Sequence, residues 1–297
     1  LYRFAGPRYW PIWIALAIIR LLILLPLPVM LAVGRMLGRV ALCFSKRNRR
    51  IAQVNIDLCL PELSPDERKR LVRRHFESLG CTLLETGLAW WADEQRLRQL
   101  VHIEGTEHLH KALARGKGAL VLSAHFSTLE LGVRALGLVK PFSFMHLVPK
   151  NPLIAELSHR YRSRHAIQAL ATDQIRELLQ NLKHNVPVWY APDQRFNNKN
   201  SALVPLFGQL AGSNVATSRL AKISGATVLP YFSARLSDNS GYVVTIHPPL
   251  DNFPTTDAVA DTRRYHELIE AHARQYPEQY LWTYKRFRRP GFNPYRQ

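Results

Sequence analysis

The chain has 297 residues, 47% of them hydrophobic, enough for a full core in one large domain or two small ones. Forty Lys and Arg against 22 Asp and Glu give a formal charge of +18, which favours anionic partners: nucleic acid, acidic lipid headgroups or an acidic carrier protein. The cysteines, Cys43, Cys59 and Cys81, are odd in number and form no CxxC pair, which argues against a disulfide scaffold or a cysteine-rich metal site and for free thiols in a reducing compartment.

In chain order, the first expected element is the apolar segment Tyr9 to Val33, whose only charge is Arg20. It is long enough to span a bilayer, for which about 20 apolar residues suffice. Pro26 and Pro28 interrupt it and could fold it into a membrane-lying hairpin instead. A buried core helix is the third option. No small-residue cleavage pattern follows, so a removed signal peptide is not expected. Arg35, Arg39, Lys46, Arg47, Arg49 and Arg50 lie downstream and only Arg3 and Arg8 upstream, which places the larger part in the cytoplasm. The expected organisation is an N-terminal membrane anchor over 1–35 and a cytoplasmic domain over 36–297.

Residues 36 to 62 read as a membrane-proximal helix. Ser64-Pro65-Asp66-Glu67 is a helix start with a capping box. The helix after it carries Leu71, Phe76 and Leu79, is ended or interrupted by Gly80, and is followed by an apolar helix through Trp91. From about residue 100 helices and strands alternate. Thr106 caps a helix ending near Gly116; a strand covers Ala119 to Ser123 and a helix Thr128 to Leu138. A strand spans Phe142 to Val148, a helix Pro152 to Arg164, and a strand Ala166 to Leu170. Thr172 caps a helix ending near His184, and Val186 to Ala191 is a strand. A helix over Ser213 to Ser224 precedes strands Thr227 to Arg235 and Tyr242 to Pro248, joined by the turn 237–241. A helix from Asp257 to Tyr276 closes the order. This alternation predicts an α/β sheet covered on both faces.

His125 and Glu130 follow the apolar run Ala119-Leu120-Val121-Leu122. On one helix, residues five apart are separated by about 140° and cannot share a face. They can meet if His125 sits in the strand-to-helix loop and Glu130 on the first helical turn. Such a carboxylate would fix the imidazole tautomer and stabilise its cation, making His125 a general base. A structural histidine is the plainer alternative. Ser123 and Ser127 lack the Gly-x-Ser-x-Gly elbow of a serine nucleophile. His102, His108, His110 and His125 lack zinc-ligand spacing, and no GxGxxG or P-loop occurs. Arg160, Arg162 and Arg164 splay if helical and align if extended, where guanidinium groups suit phosphate. Asp193 and Gln194 follow the apolar strand, at the end where α/β sheets place ligands. Tyr284 to Pro290 holds four positive charges and no acid, which suits an anionic surface.

Several stretches in order resemble the late-acting lipid A acyltransferases of Gram-negative bacteria, most closely the lauroyltransferase branch. They are Pro7-Arg8-Tyr9-Trp10-Pro11, Arg73-Arg74-His75-Phe76-Glu77-Ser78-Leu79-Gly80, Glu85-Thr86-Gly87-Leu88-Ala89-Trp90-Trp91 and His125 to Glu130. Val188-Trp189-Tyr190-Ala191-Pro192-Asp193-Gln194, Val204-Pro205-Leu206-Phe207-Gly208, Ser224-Gly225-Ala226 and Pro277-Glu278-Gln279-Tyr280-Leu281-Trp282 complete the set. The resemblance implies a glycerolipid-acyltransferase-like mixed sheet flanked by helices, with an N-terminal membrane-anchoring helix, on the cytoplasmic face of the inner membrane. It implies transfer of a fatty acyl chain, lauroyl or similar, from acyl carrier protein to a hydroxyl of a Kdo-bearing tetraacyl lipid A precursor, with no metal or cofactor and no nucleic-acid partner. By the same resemblance His125 is the base and Glu130 its orienter. Arg162 or Arg164 binds acceptor phosphate or the developing oxyanion, the family pattern favouring Arg162, and Asp193 and Gln194 shape the acceptor site. Two stretches depart from the family: Arg195-Phe196-Asn197 stands where Asp-Tyr-Gly is usual, and Tyr284-Lys285-Arg286-Phe287-Arg288 where His-Arg-Arg-Phe-Lys is usual. Two other readings stay open: the same fold acting on another lipid, such as a lysophospholipid or aminolipid, and a membrane-tethered nucleic-acid binder.

Overall fold

A computed structural model describes residues 1–196 and 201–296; Asn197, in the first departing stretch, lies outside them. The first hundred residues are helical, as expected. The apolar N-terminal segment is two helices, α1 (Trp10–Leu22) and α2 (Leu27–Phe44), because Pro26 starts the second. Among the described residues α2 alone is long and apolar enough to cross a membrane, and it runs unbroken through residue 35. Helix α3 (Lys46–Cys59) leads to α4 (Pro65–Trp91), which begins with the expected Ser64/Glu67 capping box.

Gly80 does not break α4. A Cβ there would lie 2.0 Å from the Gly34 carbonyl oxygen and 2.5 Å from the Gly38 nitrogen. The glycine lets α2 and α4 touch backbone to backbone, and helical hydrogen bonds continue through it.

The remaining elements build the sheet. Helix α5 (Glu94–Leu100) and strand β1 (Val101–Glu104) precede α6 (Thr106–Ala114), whose N-cap is Gly105 at φ +72°, not Thr106. Then follow β2 (Ala119–Leu122), α7 (Leu129–Val139), β3 (Ser143–His146), α8 (Pro152–Arg162), β4 (Gln168–Ala171), α9 (Ile175–Lys183) and β5 (Pro187–Tyr190). The N-cap of α9 is Gln174, not Thr172. A hairpin of β6 (Ser201–Leu206) and β7 (Gln209–Asn214) occupies a stretch without an expected element, so residues 213 and 214 are strand and α10 (Ala216–Ser224) starts after them. Its two turn residues, Phe207 and Gly208, both have positive φ, the geometry of a type I′ turn. The usual Asn-Gly signal is missing there. Phe207 is held in place by Tyr280, Trp282 and a hydrogen bond from its amide to Glu270. Then follow β8 (Thr227–Arg235), β9 (Tyr242–Ile246) and α11 (Ala258–Gln275), the expected last helix, with Asp257 as its N-cap.

Seven strands form one sheet in the order β1-β9-β8-β2-β5-β3-β4. Five run parallel; β9, paired antiparallel to β8, and β1 run the other way. Helices cover both faces. Ala119 and Val121 of β2 face the core built with α4, α6, α7 and α8, while Leu120 and Leu122 face the core built with α3, α9, α10 and α11. Strand β8 pairs with β2 up to Pro230 and with β9 from Tyr231 onward, so the residue without an N–H sits where the strand changes partners. Beyond Pro230 the place beside β8 is taken by α7: the Tyr231 hydroxyl donates to the Gly132 carbonyl at 2.6 Å. That brings the start of α7 to the C-terminal ends of the central strands.

Candidate active site

The loop from β2 to α7 carries His125. Ser123 extends the β2–β5 ladder by donating its amide to the Tyr190 carbonyl at 2.8 Å, and its own carbonyl accepts from the Tyr265 hydroxyl. The Ser127 amide donates to the Gln279 carbonyl at 2.7 Å, the Leu281 amide to the His125 carbonyl at 3.2 Å, and Phe126 bridges Tyr280. Thr128, the N-cap of α7, spends its hydroxyl on the Ser233 carbonyl at 2.9 Å rather than on the helix. The imidazole is therefore presented by a fixed backbone, with 30% of the side chain accessible.

Its carboxylate is Asp193, not Glu130. Asp193 follows β5, is buried, and accepts from the His125 amide at 2.9 Å and from Nδ1 at 2.5 Å. An ionised carboxylate only accepts, so Nδ1 carries the proton and Nε2 keeps its lone pair. Burial alone would lower the His125 pKa, but the charge and hydrogen bond of Asp193 outweigh it and raise the group above its ordinary value. Burial would likewise raise Asp193, and His125 outweighs it, holding that carboxyl below the usual range.

Glu130 does sit on the first turn of α7, but it faces α4 and α8. Its carboxylate takes a two-pronged contact from Arg162, Nε at 2.8 Å and Nη2 at 2.6 Å, and a third bond from Trp90 Nε1 at 2.8 Å. Burial pushes the Glu130 pKa up; Arg162 and Trp90 more than offset it, and the carboxyl lies below its ordinary value. The expected His125–Glu130 contact is replaced because α7 begins only at Leu129, and its first turn aims Glu130 away from the loop.

Arg162, the last residue of α8, is thus committed to Glu130, and its guanidinium lies 5.7 Å from the Phe144 ring centroid. Arg164 is outside this cluster. It follows the helix end, is exposed, and stacks over Tyr161 at 4.9 Å. Gln194 and Pro192, the neighbours of Asp193 in sequence, line a cavity of about 650 Å³ whose walls include neither Asp193 nor His125. The walls are mostly apolar, with Met145, Leu147, Leu179, Tyr190, Leu220 and Ile223 among them. Such a cleft suits a hydrocarbon chain.

Several supporting residues escaped the sequence reading. Tyr284 accepts the Arg195 amide at 3.2 Å, so the segment 279–284 holds both the His125 loop and the Asp193 loop. Behind it lies a buried pair, Arg235 Nη1 to Glu85 at 2.6 Å, with Arg235 Nη2 donating to Ser78 and Ser78 to Ser127. Ser78, Glu85, Trp90 and Gln279 lay within recognised stretches, but nothing in their spacing tied them to His125. Among the described residues no three His, Cys, Asp or Glu gather as a metal site.

A family model described as bacterial lipid A biosynthesis acyltransferase matches residues 2–289. The chain is 36% identical to the lipid A biosynthesis lauroyltransferase of Escherichia coli K12, over 95% of this chain and 92% of that one. It is also 36% identical to the lipid A biosynthesis palmitoleoyltransferase of the same strain, over 96% and 94% of the two chains. A lipid A biosynthesis acyltransferase of Haemophilus influenzae is 30% identical, over 96% and 93%.

Proposed function

This chain belongs to the bacterial lipid A biosynthesis acyltransferases, and from that premise we propose that His125 and Asp193 drive acyl transfer onto a lipid A precursor. The acceptor is a Kdo-bearing tetraacyl lipid A precursor, the donor a fatty acyl thioester on acyl carrier protein, and the site works on the cytoplasmic face of the inner membrane. The sheet with its reversed β9 and β1 is read as the glycerolipid-acyltransferase-like fold.

The observation that carries the proposal is the His125–Asp193 dyad at the strand ends, with residues flanking Asp193 lining an apolar cavity. His125 Nε2 removes the proton of an acceptor hydroxyl. The oxygen attacks the thioester carbonyl carbon, the C–S bond breaks, and the departing thiolate takes that proton back from Nε2. Asp193 holds the tautomer and stabilises the imidazolium between these steps. Base catalysis of this kind contributes about 10²–10⁴ in rate. Glu130 positions Arg162 through Nε and Nη2, leaving Nη1 for an acceptor phosphate or the developing oxyanion. Gln194 lies where donor chain and acceptor meet, and the cavity takes the donor chain.

The test is purified protein with carrier-bound chains of several lengths and the tetraacyl precursor, read by mass spectrometry. Transfer by the parent chain and its loss in a folded His125→Ala variant are expected. Near-normal turnover by that variant would sink the mechanism, and no transfer with any donor would sink the substrate assignment.

A further inference from the structure

The N-terminal helices present an apolar face whose orientation to a membrane is set by what lies behind it. Trp10, Ile14, Ile18, Leu21 and Leu24 are exposed along and just after α1, and Val29, Met36, Val40 and Phe44 along α2. The opposite faces are packed on α4. Ile19 and Ile23 abut Gly87, Leu31 accepts from the Cys81 thiol, and Gly34 and Gly38 meet Gly80. Helix α2 therefore lies lengthwise on α4 and antiparallel to it, and the C-terminal end of α1 meets α4 at Gly87 and Trp91.

A bilayer-spanning α2 conflicts with its polar partners. The helix has 18 residues, a length of about 27 Å at 1.5 Å per residue, against about 30 Å of hydrocarbon. Arg35, near its midpoint, donates to Asn239 Oδ1 at 2.8 Å, in the exposed β8–β9 turn that also carries Asp238. Arg39 donates to Glu77 at 2.6 Å, and Arg73 joins the same carboxylate at 3.2 Å. Putting α2 across the bilayer would draw this turn and these ion pairs into hydrocarbon, where charge is costly.

We propose that α1 and α2 lie in the plane of one anionic leaflet, burying their shared outer face, and that neither crosses the membrane. The partner's charge follows from the sequence. The first acidic residue of the chain is Asp57, whereas Arg3, Arg8, Arg20, Arg35, Arg39, Lys46, Arg47, Arg49 and Arg50 precede it. Lys46, Arg47 and Arg49 are exposed directly beyond Phe44, where an in-plane helix meets phosphate headgroups. This deepens the membrane-bound reading above and rests on it.

An epitope tag placed before Leu1 reports the orientation, since protease reaches it from one side only. We expect the tag to be cleaved in inverted inner-membrane vesicles and to survive in spheroplasts; cleavage in spheroplasts overturns the inference. The tag's side is read whether or not the protein transfers acyl chains, so this result and the functional assay fail separately. Partitioning of the purified chain onto preformed vesicles tests the partner. At least ten-fold stronger binding to phosphatidylglycerol-containing vesicles than to phosphatidylcholine is expected, and its loss in Ile18→Glu/Leu21→Glu. Equal binding to both lipids, or undiminished binding by the double variant, overturns it.

Discussion

Replacing Asp193 by Asn separates the two carboxylates that could serve His125. Asn keeps the shape but not the charge, and its amide cannot accept from both the His125 amide and Nδ1 as the carboxylate does at 2.9 and 2.5 Å. A hydrogen bond to a charged group contributes about 1.5–3 kcal/mol, or roughly 10- to 10²-fold in rate when it forms in the transition state. Loss of the tautomer adds to that; the same swap in a Ser-His-Asp triad costs about 10⁴. We expect kcat to fall about 10²–10⁴ with KM little changed. The pH profile identifies the cause. A base must be neutral, so activity is lost as pH falls through the His125 pKa, which Asp193 raises. In Asp193→Asn the burial effect remains without its counterweight, and the acid limb moves to lower pH. Glu130→Gln also lowers activity, because Arg162 loses its carboxylate; breaking this half-buried pair costs less stability than the about 3–5 kcal/mol of a fully buried one. Its acid limb should stay in place, since Glu130 touches Arg162 and Trp90 and not His125. A limb that moves in Glu130→Gln and stays in Asp193→Asn would refute the assignment.

Further outcomes follow from the packing. Gly80→Ala should lower the melting temperature by several degrees, since its Cβ meets the Gly34 carbonyl oxygen at 2.0 Å and overpacking costs about 1–3 kcal/mol; parent-like melting would mean that α2 and α4 separate readily. Leu179→Trp should fill part of the 650 Å³ cavity and move donor preference toward shorter chains; an unchanged profile would remove the acyl chain from that cavity. Burial pushes the pKa values of His75, His266 and His272 down to about 4. Their contribution to stability is full above the unfolded value of about 6.5 and is lost as pH falls toward 4. Thermal melts in detergent should drop between pH 7.5 and 5, and equal melting at the two values would contradict neutral burial of these rings.

The layered α/β architecture was legible because the central strands are short apolar runs between amphipathic helices. The β6–β7 hairpin was not, since Phe207 adopts its positive φ through contacts with Tyr280 and Trp282, more than seventy residues away. Gly80 read as a break because helix propensity cannot register a second helix passing within contact distance. At the site, His125 and Asp193 were each picked out, but not as partners. Proximity along the chain favoured Glu130, whereas the β2–β5 pairing that juxtaposes their loops joins residues 68 positions apart. Arg162 was expected to meet an anion of the substrate; its first anion is Glu130.

The segment 279–284 ties the His125 loop to the Asp193 loop, through Gln279, Tyr280 and Leu281 on one side and Tyr284 on the other. That tie comes from residues that follow every helix and strand of the sheet in sequence. Loosening it would leave the β2–β5 pairing and the two bonds from His125 to Asp193 to set the gap between the loops. Substitutions at 279–284 would then be felt in the alignment of the dyad although none of these side chains belongs to it.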